Sequence, residues 1–220
     1  VPHLVEALSD KDTDIAENAE VALRSLKNPG PVDALCAHWF EDRNQRLGQF
    51  IGECDYVARE PVNVRVLSAL KAGRPDLAGE QAEQVPHLVE ALSEEDADIA
   101  ENAQVALRWL ENPGAVDALC EAAIADPDSV AADVVKEQGY EPQSVSRRCV
   151  LFLLTGQLEK YFDLDYEFQH LKAEYAAGDE KLKGHIGEAV RASGDDRLLG
   201  LFRSARRQKL ARELTEHEAQ

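Results

Sequence analysis

VPHLVEALSDKDTDIAENAEVALRSLKNPGPVDALC, residues 1–36, returns as VPHLVEALSEEDADIAENAQVALRWLENPGAVDALC, residues 85–120, so that position i is answered at i+84. Seven of the 36 aligned positions differ (10, 11, 13, 20, 25, 27 and 31 in the first copy), so the chain is a tandem repeat. Within the first copy, Val1, Leu4, Val5 and Leu8 stand at i, i+3, i+4 and i+7, the spacing of one helical face. Pro2 falls in the first turn, where a missing N–H is harmless. Ser9 to Asp12 is a polar turn with capping side chains, and a second helix follows with Ile15, Ala19, Ala22, Leu23 and Leu26 on one face. Asn28-Pro29-Gly30-Pro31 ends it, because proline cannot continue the hydrogen-bond ladder.

The same logic carries outward through the rest of the unit. A third helix is expected to about Asp42 with Val32, Leu35, Cys36, Trp39 and Phe40 inward, and a fourth from about Gln45 with Leu47, Phe50, Ile51 and Cys54. The Glu60-Pro61 step interrupts the chain, since a residue before proline avoids the helical region. Val62 to Ala72 is the most apolar helix of the first unit, and a Gly73-Arg74-Pro75 turn leads through residues 76–84 into the second. Beyond Cys120 the copies diverge, yet Tyr140 still answers Tyr56, and Val150-Leu151 answer Val66-Leu67. The run CVLFLL, Cys149 to Leu154, has the composition of a buried strand, but its register with Val64 to Leu70 assigns it to a helix. Both apolar helices are expected to be central, with Val66, Leu67, Leu70, Leu151 and Leu154 buried. A worn third copy begins near residue 169, where His170-Leu171 answer His87-Leu88 and Ala189-Val190 answer Ala106-Leu107. Terminal repeats depart from the consensus because one of their faces meets water. The units are therefore residues 1–84, 85–168 and a degenerate capping unit, 169–220, in one continuous array of residues 1–220.

The form DxDIAxNAxxALRxL, from Asp12 to Leu26 and again from Asp96 to Leu110, resembles a HEAT repeat, and a unit of 84 residues equals two modules of 42, inside the range of about 40 to 47 for HEAT and armadillo repeats. The resemblance implies an all-α chain wound into a right-handed HEAT-like superhelix, or solenoid, of about two and a half units. It also implies a non-catalytic scaffold or regulatory segment that binds a protein partner along the repeat surface. The rival reading is a HEAT-fold enzyme or a nucleic-acid-processing module, which calls for a basic concave face and a buried carboxylate. The extra helix from Pro31 to Asp42 departs from the 42-residue pattern.

Composition narrows the function. With 42 acidic and 24 basic residues the net charge is −18, which disfavours a phosphate backbone as ligand and favours a basic protein segment, or the neighbouring domains of the same chain, as partner. No apolar run approaches the roughly 18 residues of a membrane span, so no membrane partner is expected. The absence of Met leads us to expect a segment of a larger protein. Cys36, Cys54, Cys120 and Cys149 show no CxxC spacing, and the expectation is reduced core thiols in a cytoplasmic setting. No His or Cys stands at ligand spacing with another, and DxDxxxN (Asp12, Asp14, Asn18) lacks the Gly and Glu of a calcium loop, so neither a metal nor any other cofactor is expected. No nucleophile motif such as GxSxG is present, and the expectation is that the chain is not an enzyme.

The candidate binding row lies on the second helix of each unit. Asp98, Asn102, Val105 and Trp109 recur at i, i+4, i+7 and i+11, beside the core stripe, and Asp14, Asn18, Val21 and Ser25 repeat the row one unit earlier. Asn18 and Asn102 offer a donor and an acceptor to a peptide backbone, and Trp109 is the residue type most favoured as an interface anchor. Glu17, Glu101 and Arg108 flank the row. The competing assignment has the asparagines bridging repeats and Trp109 packed on a neighbouring helix. The basic cluster Arg203, Arg206, Arg207, Lys209 and Arg212 is expected to be a capping helix facing acidic surface.

Overall fold

The computed structural model describes residues 1–8, 11–201 and 203, and every regular element among them is helical. The first unit holds α1 (Pro2–Ala7), α2 (Thr13–Arg24), α3 (Pro29–Asp42), α4 (Gln45–Glu53) and α5 (Val62–Lys71), followed by two 3-10 turns, Pro75–Leu77 and Ala82–Gln84. The second holds α6 (Val85–Ala91), α7 (Ala97–Arg108), α8 (Pro113–Ala125), α9 (Val130–Gln138), α10 (Val145–Leu154) and α11 (Leu158–Leu164). The third holds α12 (Gln169–Ala177) and α13 (Glu180–Ser193), with residues 196–201 also helical. Arg203 is exposed, and Arg206, Arg207, Lys209 and Arg212 lie outside the described residues.

Local chemistry sets the helix ends. The Asp12 carboxylate accepts from the Asp14 N–H at 3.0 Å, and Asp96 repeats the cap with Asp98 at 3.2 Å. Asn44, Asn112, Ser129, Ser144 and Asp179 cap α4, α8, α9, α10 and α13 in the same manner, each cap contributing about 1 kcal/mol. Gly139 and Gly194 close α9 and α13 in left-handed conformation at φ 67° and 63°.

The register of the repeat survives in three dimensions. The bounds of α2 and α7 are 84 apart at both ends, and those of α4 and α9, and of α5 and α10, agree with that spacing to within one position. Three side-chain clasps recur with it. Tyr56 Oη donates to the Leu23 carbonyl at 2.7 Å, and Tyr140 Oη donates to the Arg108 carbonyl at 2.8 Å while accepting from Leu110 N–H. Arg24 pairs with Glu53 at 2.6 Å and Arg108 with Glu137 at 3.4 Å. Asp33 accepts from the backbone and guanidinium of Arg59, and Asp117 accepts from the backbone and amide of Gln143, so the clasp persists through an Arg-to-Gln exchange.

Helix pairing differs from the 42-residue module. The packed neighbours are α1 with α2, α3 with α4, α6 with α7, α8 with α9, α10 with α11 and α12 with α13. Because α6, α8 and α10 open at Val85, Pro113 and Val145, and α12 only at Gln169, one unit holds three helix pairs rather than two. The helix that looks supernumerary in sequence, α3, is the leading member of the second pair. In the first unit the short turn Pro75–Leu77 stands where α11 stands in the second.

One apolar core runs from α1 to α10, and a second joins α10 to α13. Helix α10 serves both: Val150 and Leu151 enter the first, while Cys149, Phe152 and Leu153 enter the second with Tyr161, Leu171 and Ile186. Val66, Leu67, Leu70 and Leu151 are buried as expected, whereas Leu154, packed against both cores at the end of α10, is half-buried. Ile15 also departs from expectation, at 45% exposed against 1% for its counterpart Ile99. Ile99 lies under α5, and among the described residues no helix covers α2 in that way.

All four cysteines are free, and burial pushes the thiols of Cys36 and Cys120 up to about 12 and that of Cys149 to about 11. A folded-state pKa raised above the ordinary value of 9.0 contributes stability that is complete below pH 9 and is lost as pH rises toward 12. The unfolding free energy from urea titration is therefore expected to be level to about pH 8.5 and then to fall, by up to about 1.4 kcal/mol per pH unit for each thiol. Cys36→Ala with Cys120→Ala should shallow that slope, and an unchanged slope would remove the thiols as its source.

Candidate interaction surface

Helix α7 is where the sequence-derived row meets structure. Its inner face, Ile99, Ala103, Ala106 and Leu107, is buried, and the Asp98–Trp109 row runs along its edge. The fold divides that row into three environments. Asp98 is exposed, 4.0 Å from the Lys71 ammonium, which makes its closer pair with Asp96 at 2.6 Å. Asn102 is half-buried, and its amide donates to the Leu70 carbonyl at 2.8 Å. It thus adds a side-chain donor to a last-turn carbonyl of α5 that also accepts from the Gly73 N–H at 3.1 Å, and ties α5 to α7. Val105 and Trp109 line open space.

Trp109 ends α7, where the backbone leaves helical geometry, and its side chain is 77% exposed. It borders a groove of about 610 Å³ with Pro75, Gly79, Val105 and Ala106 as apolar lining and Asp76, Glu80 and Glu111 as polar lining. Arg74 holds Asp76 at 2.7 Å and Arg65 holds Glu80 at 3.1 Å. Glu111 is exposed at the same rim. In the first unit the place of Trp109 is taken by Ser25, whose hydroxyl donates to the Ala22 carbonyl at 2.7 Å. The tryptophan groove therefore belongs to the second unit.

The remaining sequence candidates lie outside this groove. Glu17, Asn18 and Glu101 are exposed on the helix surfaces, and the Asn18 amide has no hydrogen-bond partner among the described residues. Arg108 is exposed and engaged with Glu137.

A second groove, at the opposite end of α7, is not legible in sequence. Six carboxylates, Glu53, Glu90, Glu94, Glu95, Asp96 and Asp98, line its roughly 1170 Å³ against two cations, Arg43 and Lys71. The run Glu94-Glu95-Asp96 reads as a capping turn, and Asp96 does cap α7. The approach of α4 adds Glu53 from the preceding unit and converts the turn into one wall of an acidic channel.

Ser146 Oγ lies 2.9 Å from His170 Nδ1, a spacing compatible with nucleophile activation. Asp165 accepts instead from the backbone N–H groups of His170 and Leu171, so that carboxylate closes α12 rather than orienting the imidazole. Among the described residues no group of three His, Cys, Asp or Glu side chains converges as a metal site, and no helix is long and apolar enough to cross a membrane. Comparison of the chain with protein-family models, with curated proteins and with solved structures finds no match.

Proposed function

We propose that the chain is a HEAT-like, right-handed α-superhelix and that it acts as a non-catalytic protein-interaction scaffold or regulatory segment. Successive helix pairs stacked on one another, as in α6 with α8, α8 with α10 and α10 with α12, support the superhelical reading. The observation that carries the binding reading is the exposed Trp109 over a preformed groove, since a large aromatic held open to solvent is the usual anchor of an interface. The partner is a basic protein segment. Its cations meet Glu111 at the tryptophan rim and the acidic channel at the other end of α7, on a chain of net charge −18.

The two tryptophans make the test direct, because Trp39 is buried and Trp109 alone is exposed to solvent. Titration with a Lys/Arg-rich peptide carrying a central leucine is expected to shift the emission of Trp109, and a charge-free peptide of equal length is not. Trp109→Ala should weaken binding by at least ~2 kcal/mol while leaving folding nearly unchanged. Affinity should fall with added salt, as a Debye length of about 8 Å at physiological ionic strength screens the carboxylates. Equal affinity for wild type and Trp109→Ala would remove the groove from partner binding.

A further inference from the structure

The covered face of α6 and α7 explains the uncovered face of α1 and α2. In the second unit α5 and the turns after it lie on that face: α5 packs on α6 and α7, Pro75–Leu77 on α7, and Ala82–Gln84 on α6. Asn102 holds the Leu70 carbonyl, and Asp96 and Asp98 face Lys71. Gly79 sits so close that a Cβ there would meet Leu110, the Ala106 carbonyl and Leu88.

Every one of these receiving residues is present in the first unit. Asp12, Asp14, Ile15, Asn18, Ala22, Leu26 and Leu4 are the counterparts of Asp96, Asp98, Ile99, Asn102, Ala106, Leu110 and Leu88, with no exchange among them. Their exposure is what differs. Ile15 is 45% exposed, and Leu4, Ala22 and Leu26, whose counterparts Leu88, Ala106 and Leu110 are buried, are only half-buried; Val21 beside them is 67% exposed. An apolar face with an amide donor at its centre and two carboxylates at one end is thus repeated in full, and uncovered.

We propose that this face of α1 and α2 is an open repeat interface, and that its occupant is the final third of a further 84-residue unit: a helix of the α5 kind with its two 3-10 turns. The last-turn carbonyl of the incoming helix takes the Asn18 amide, its terminal lysine faces Asp12 and Asp14, and the turn behind it covers Ala22, Leu26 and Leu4. The α5 of a second copy of this chain is already packed on its own α6 and α7, so it is not free to fill the position. The inference rests on the repeat architecture and is independent of the Trp109 groove.

The test extends the intact chain by placing a second copy of residues 57–84 directly ahead of Val1, which reproduces the natural junction between Gln84 and Val85. Hydrogen exchange of α2 amides is expected to slow until it lies within about threefold of the matching α7 amides. Ile15→Asp should abolish that gain in the extended chain and leave exchange in the unextended chain unchanged. Exchange in α2 that does not respond to the extension would overturn the proposal. Sedimentation of the unextended chain covers the other occupant: a concentration-dependent dimer dissolved by Val21→Asp would assign the face to a second copy and overturn it as well.

Discussion

Trp39→Ala is expected to destabilise the chain by about 3–5 kcal/mol, the range for truncating a buried tryptophan. Trp39 is buried on α3, and its indole presses on Gly48 of α4, where a Cβ would come within 2.8 Å of Nε1. The rigid ring cannot give way cheaply, so Gly48→Ala alone should cost about 1–3 kcal/mol through overpacking. The second unit shows the other solution, with Ala123 and Ala132 in the places of Trp39 and Gly48 and both buried. Once Trp39 is gone, the sign of Gly48→Ala should reverse. The added methyl then fills part of the cavity, and alanine is favoured over glycine inside a helix by roughly 0.5–1 kcal/mol. Urea unfolding of the four members of this double-mutant cycle measures the coupling. Simple additivity of the two single costs would mean that the large–small and small–small pairs are unrelated.

Leu151→Ala should cost about 2–5 kcal/mol, because Leu151 is fully buried on α10, whose buried side chains divide between the two cores. Its effect is expected to be polar along the chain. Val150 and Leu151 bind α10 to the first core, while Cys149, Phe152 and Leu153 bind it to the second. Loosening the first contact should therefore separate the unfolding of α11–α13 from that of the helices before it. Site-resolved hydrogen exchange in α8 and α12 is the measurement. A loss under about half a kcal/mol, or uniform loss of protection in both helices, would place the junction elsewhere than α10.

Helix positions were legible because their determinants are local. Prolines in first turns, the Asp, Asn and Ser caps and the apolar spacing of each segment lie close in sequence to the element they set, and the bounds of α2 and α7 follow. The apolar run Cys149 to Leu154 was ambiguous locally, and only its register with Val64 to Leu70 decided for helix. Pairing is not a local property: a 42-residue module divides 84 evenly, but helices of 6 to 14 residues fit three pairs into the same length.

The candidate site divides in the same way. Trp109 stood out as a tryptophan on the edge of a core stripe, and its exposure follows from its place at the C-terminal end of α7. Asn102 has the same sequence credentials, yet the amide is spent on Leu70, 32 residues earlier. Its twin Asn18 is open to solvent for want of a neighbour rather than for any difference in sequence. The acidic channel joins Glu53 to Glu94 and Asp96, and the spacing of those residues along the chain carries no trace of the meeting.

What the sequence alone determined about this protein is its repeat, its helical class, its helix ends and its acidity, all properties of neighbouring residues or of simple sums. Only the tertiary structure decided which identical side chain is buried and which is exposed, which carboxylates face one another, and where an aromatic stays open. Burial depends on what packs from outside the segment: Ile15 and Ile99 sit in the same run, Asp-Ile-Ala-Glu-Asn-Ala, and α5 covers only one of them.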